Sequence, residues 1–221
     1  MIGLLLERYW KPVYCYLRRK GYDNEQAKDL TQAFLHEVVL NRDLVRRADH
    51  TKGRFRSYLL YALNRYMAKQ RLKEKVLKRI PKEKLVRLDL VEPSALPESI
   101  ANTSAEESYH YAWLSALLER VFFDVKAECD RHGMGIHWVL FYERIAKPIL
   151  ENNPQPSLSE LCKKYNIEDA KKASNMIVTV KRRFQAILMR HARSTVFSED
   201  QANEELDDLF KFFPEKAQHS F

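Results

Sequence analysis

Glycine and cysteine are both scarce in this chain, with five Gly and three Cys among 221 residues. So few glycines leave no room for a Gly-rich phosphate loop, and neither a GxSxG nucleophile elbow nor an HExxH zinc pair occurs. No catalytic chemistry, cofactor or small-molecule substrate is therefore expected. Cys15, Cys129 and Cys162 are scattered and odd in number, which argues against a disulfide framework and fits a reducing cytoplasm. Cys129, His132 and His137 lie close in sequence, but a fourth ligand at zinc-like spacing is missing, so no metal site is expected. Cys162 reads as core. No apolar run approaches the roughly 20 residues of a membrane span. Ile2 to Leu6 is too short for a secretory leader and runs at once into Glu7 and Arg8. Strand-like alternation of β-branched residues is scarce too, whereas long stretches follow a helical period. The expected fold class is all-α.

What the chain does have is positive charge and aromatic rings. Lys and Arg number 38 against 30 Asp and Glu, a net charge of +8. With a pI near 9.3, that favours a polyanionic partner. The excess is concentrated. Residues 42–87 hold sixteen Lys/Arg and four Asp/Glu, and Phe55, Tyr58, Tyr61 and Tyr66 run through the middle of them. A basic helix interleaved with rings suits nucleic acid, above all where strands are opened and bases can stack.

Charge regimes divide the chain. Residues 89–107 carry five acids, no Lys or Arg and two prolines, the composition of a linker. Residues 163–193 are basic again, with nine Lys/Arg, and residues 198–210 hold six acids and no base. The expected organisation is a first helical domain over 1–80, an acidic linker over 81–108, a second domain over 109–195 and an acidic tail over 196–221.

In the first domain, Leu5, Leu6, Tyr9, Trp10, Val13, Tyr14 and Leu17 recur at helical spacing, with Pro12 expected to kink the helix or start a new turn. Gly21 ends it, and Asp23 with Gln26 forms a capping box for the next helix. The apolar face of that helix is Ala27, Leu30, Phe34, Leu35 and Val38. A third helix is expected to bury Phe55, Tyr58, Leu59, Ala62 and Tyr66, with Arg54, Tyr61, Asn64, Arg65, Lys69 and Arg71 pointing elsewhere. In the second domain, helices are expected from about Tyr109 to Arg131 and from Ile136 to Leu150. Ser157 and Glu160 then cap a short helix that Asn166 closes. The long helix after it sets Ala173, Met176, Ile177, Val180, Phe184, Ile187 and Leu188 on one side. Its other side carries Lys171, Lys172, Ser174, Asn175, Thr179, Lys181, Arg182 and Arg183. Short helix, tight turn and long basic helix follow helix-turn-helix logic. Asn is suited to adenine edges, Lys and Arg to guanine or phosphate, and Ser and Thr to phosphate.

Two blocks together carry a family resemblance. LLERYWKPVYCYLRRKGYDNEQAKDLTQAFLHEVV with RFRSYLLYALNRYMAKQ resembles region 2 of bacterial RNA polymerase sigma factors of the sigma-70 family, extracytoplasmic-function type. WLSALLERV, ASNMIVTVKRRFQAIL and EELDDLF are similar to the helix-turn-helix region 4 of that family. The likeness spans nearly the whole chain except the linker. It implies a transcription initiation factor that performs no chemistry itself, binds core RNA polymerase and directs it to promoter DNA. Asp29, Gln32, Phe34 and Glu37 would dock on the polymerase. Arg56, Tyr61, Asn64, Arg65, Lys69 and Arg71 would capture the −10 element, and Lys171 to Arg183 would read the −35 element. The linker would thread near the polymerase active-site channel. Many members carry Trp at the place of Tyr58, Asn at Arg65 and Asp at Lys69, so the −10 preference of the family does not transfer. A stand-alone helix-turn-helix regulator is the alternative. A third reading is an interaction module whose basic helices bind an acidic partner such as an anti-sigma factor. In the sigma reading, the acidic tail is expected to be a solvated helix or a shield that covers the basic helices until polymerase binds.

Overall fold

The computed structural model describes residues 2–40, 54–77, 104–148 and 154–193. The acidic tail, residues 41–53 and most of the linker fall outside them. All elements among the described residues are helical. They are α1 (Ile2–Arg19), α2 (Asn24–Phe34), α3 (Phe55–Leu77), α4 (Ala105–Arg131), α5 (Gly135–Phe141), α6 (Leu158–Tyr165) and α7 (Ala170–Arg193). α2 runs on into a π-helical stretch, Leu35–Leu40, and α5 into another, Tyr142–Ala146. The chain divides into two compact units, Met1–Ala116 and Leu117–Phe221.

Helix boundaries follow local chemistry. Gly21, at φ +93°, ends α1. The Tyr22 N–H reaches back to the Leu17 carbonyl at 3.3 Å and the Gly21 N–H to Arg18 at 3.2 Å, the paired bonds of a Schellman close. Gly133, at φ +67°, ends α4 with the same two bonds, from Met134 to Cys129 and from Gly133 to Asp130. Asp23 caps α2 in the expected capping box, with Gln26 bonding back. Pro12 does not end α1, which continues through it as one helix. α4 begins at Ala105 rather than near Tyr109, because Ser104 and Glu107 form a capping box that turns the end of the supposed linker into helix.

The core of the first unit is aromatic. Tyr9, Tyr16, Phe34 and Tyr109 are almost fully buried, each side chain contributing about 1.5–3 kcal/mol over its exposed state. Tyr9 meets Phe55 edge to face at 5.4 Å, and Phe34 meets Tyr66 at 5.5 Å. From α3, Phe55, Leu59 and Tyr66 are buried as expected and Leu63 and Met67 join them, while Tyr58 and Ala62 are half-buried. The first three turns of α4 belong to this unit, so residues 105–108, read from sequence as linker, and 109–116, read as second-domain, both fall in it. There the Tyr109 hydroxyl donates to the Arg56 carbonyl at 3.1 Å, and Glu106 pairs with Lys20 at 3.2 Å.

In the second unit α5 and α7 pack together with the rest of α4. Phe122 stacks on Phe184 at 5.3 Å, and Trp138 and Phe141 close the cluster. Ala173, Ile177, Val180, Phe184, Ile187 and Leu188 of α7 are buried as expected, with Met176 half-buried. Cys129 is buried, and burial raises its thiol pKa. Among the described residues no three His, Cys, Asp or Glu side chains converge on a metal site, and no helix is long and apolar enough to cross a membrane.

Candidate nucleic-acid interface

α3 uses its two sides differently. Its buried side faces the core, while Ser57, Tyr61, Asn64, Arg65, Ala68 and Lys69 are exposed. Their spacing of four, three, one, three and one residues forms one continuous helical face. Tyr61 is 58% exposed, and the Arg65 guanidinium lies over its ring at 5.8 Å from the centroid. A flat ring beside a delocalised cation can receive a base on one side and hold a phosphate on the other. Asn64 is partly committed, since its Oδ1 accepts the Tyr16 hydroxyl hydrogen bond. Arg71 belongs to the same helix, with its side chain outside the described residues.

Arg56 needs correction as a DNA-contacting candidate. It is 3% exposed, its guanidinium lies over the Trp113 ring at 4.8 Å, and one nitrogen is 3.4 Å from His110 Nδ1. It supports the junction of α3 with the start of α4 and faces away from the Tyr61 side.

On α2, the four residues assigned to polymerase docking separate. Asp29 is exposed, Gln32 and Glu37 are half-buried, and His36 is exposed between them. Phe34 is fully buried against Tyr66, so its contribution is to the core and not to a docking surface. The π-helical stretch begins at Leu35, so Glu37 leaves the α-helical register that Asp29 and Gln32 share.

The helix-turn-helix pattern is present in the second unit. Ser157 and Glu160 form the expected capping box at the start of α6. Asn166 takes the left-handed conformation, φ 51° and ψ 50°, and Ile167 N–H bonds to the Cys162 carbonyl at 2.9 Å. Asp169 then accepts the Lys172 N–H at 2.6 Å, starting α7, which packs against α6. Glu143 ties the unit by receiving Lys164 Nζ at 2.7 Å and the Tyr165 hydroxyl at 2.6 Å. Partial burial pushes its carboxyl pKa up, and the Lys164 and Tyr165 bonds more than reverse this, leaving it below the ordinary value.

Of the α7 candidates, Lys171, Lys172, Asn175 and Arg182 are exposed, and Ser174, Thr179, Lys181 and Arg183 are half-buried. Lys172 pairs with Glu168 at 3.0 Å, and the Thr179 hydroxyl donates to the Asn175 carbonyl at 2.9 Å. Arg183 is ion-paired with Glu128 of α4, so its charge serves the unit's own packing. Two residues of this side escaped the sequence reading. Arg190, 67% exposed at its side chain and 3.9 Å from Asp124, extends the cationic surface along a groove of about 410 Å³ that Arg182 and Ile187 also line. Val178 is 40% exposed between Asn175 and Arg182, and the four-, three- and four-residue steps from Lys171 to Arg182 could have revealed it.

No family model matches this chain, nor does any curated protein or solved structure.

Proposed function

We propose that this protein is a sigma-type transcription initiation factor. It docks on core RNA polymerase through α2, engages −10 promoter DNA through α3 and engages −35 DNA through α7. The observation that carries the reading is the pair of outward cationic helix faces, one in each compact unit, with different chemistry. α3 offers a ring under an arginine, which suits an unpaired base. α7 offers Lys171, Asn175 and Arg182 behind a tight turn, which suits duplex edges and phosphates. The protein acts in the cytoplasm beside polymerase and DNA, and it contributes binding free energy rather than bond making. An anti-sigma factor covering these faces is compatible with the same surfaces. A stand-alone helix-turn-helix regulator is the second reading, favoured by the fact that α6, the turn and α7 all belong to one unit.

Co-purification with bacterial core RNA polymerase tests the proposal. The wild-type chain is expected to be retained, and Asp29→Ala with Gln32→Ala to be lost while its circular dichroism is unchanged. A folded wild-type chain that core polymerase does not retain overturns the sigma reading. Duplex binding without polymerase then decides for the regulator.

A further inference from the structure

The solvent face of α7 is not uniformly polar. Lys171, Asn175, Val178 and Arg182 follow one another in a stripe that climbs about 16 Å along the helix at 1.5 Å per residue. Three of the four have side chains suited to a polyanion, and Val178 does not. It stands outside the buried series of Ala173, Ile177, Val180 and Phe184, and 40% of its surface meets solvent. Valine is also a weaker helix former than the Lys or Gln that would serve an exposed position. Beside it, Thr179 donates its hydroxyl proton to the Asn175 backbone carbonyl.

Resting on the helix-turn-helix reading of α7, we infer that Val178 is a specificity-determining residue that reads a thymine methyl group. In the major groove the C5-methyl of thymine is the apolar feature that distinguishes one base edge from the others. The side chain one turn before it, Asn175, carries the carboxamide that pairs with adenine N6 and N7. Residues three apart on a helix are surface neighbours, which places the two readers over adjacent base pairs. Asn175 and Val178 together therefore select a step of two A·T pairs. Lys171 and Arg182, at the ends of the stripe, hold the flanking phosphates.

The test begins with selection from a duplex library having a random 20-bp core. The full chain is used alone at low salt and loaded on core RNA polymerase. Each thymine of the enriched site is then replaced by deoxyuridine, which removes only the methyl group. Wild type is expected to lose about three- to fivefold in affinity at one thymine, the effect of one buried methyl. Val178→Ala should bind the thymine and deoxyuridine duplexes equally, and Asn175→Ala should lose preference for adenine at the neighbouring pair. If wild type ignores every replacement, or Val178→Ala keeps the discrimination, the inference falls while the enriched site still supports the helix-turn-helix reading. If neither selection enriches any sequence, both fall.

Discussion

Arg56 and Arg65 lie nine residues apart on α3, two and a half turns at 3.6 residues per turn, so they face opposite ways. Sequence places both in one basic helix, and their spacing sets them on opposite sides without showing that the Arg56 side is covered. What separates them is packing against residues some fifty positions away, since Trp113, Tyr109 and His110 enclose Arg56. Arg183 escaped for the same reason, because Glu128 is remote in sequence, whereas periodicity alone puts Phe34 on the apolar face of α2, where it packs on Tyr66. The two arginines should therefore fail differently. Arg56→Ala removes a guanidinium packed on an aromatic face along with its buried stem, a loss of about 2–3 kcal/mol. It should lower the urea midpoint at unchanged slope. Arg65→Ala, on the exposed side, should stay within about 0.5 kcal/mol of wild type and weaken binding to a forked duplex with single-stranded arms. The reverse pattern, with Arg56→Ala stable but defective on DNA, would reassign the two faces.

At the scale of elements, sequence was most informative where structure is made locally. The capping boxes at Asp23 and Ser157, the turn at Gly21 and the left-handed Asn166 each depend on residues within a few positions, and all appear where expected. The box at Ser104 was equally local and was hidden by the acidic composition around it, which resembles a linker. The π-helical stretches have no such signature, since an extra residue in a turn changes register without changing composition. The cap that starts α6 sets the entry of the helix-turn-helix, so it can be tested by stability alone. Ser157→Ala should cost about 1 kcal/mol by orphaning the Glu160 N–H, and Ser159→Ala, exposed two residues into α6, should cost a few tenths at most. Equal losses at the two serines in urea titrations would show that the hydroxyl at Ser157 is not acting as a cap.

For the whole molecule, the net charge of +8 says that polyanion binding will be salt-dependent but not which helix is responsible. Among the described candidates, the structure removes Arg56 and Arg183 from the outward set and leaves Arg65 and Lys69 on α3 and Lys171, Lys172 and Arg182 on α7, with Arg190 beyond them. Each phosphate neutralised changes the slope of log affinity against log salt by about 0.9 on duplex and about 0.7 on single strand. On a forked probe, Lys171→Ala with Arg182→Ala should therefore flatten the slope by nearly two. Arg65→Ala with Lys69→Ala should flatten it by about 1.4, and on a blunt duplex by little. The two pairs belong to different compact units, so the quadruple variant should show the sum of the two effects. If the α3 pair acts equally on blunt and forked probes, α3 is a general phosphate contact and not a receiver of open strands. If the α7 pair leaves the slope untouched, α7 does not lie against the duplex, and charge alone would have misled about the second unit.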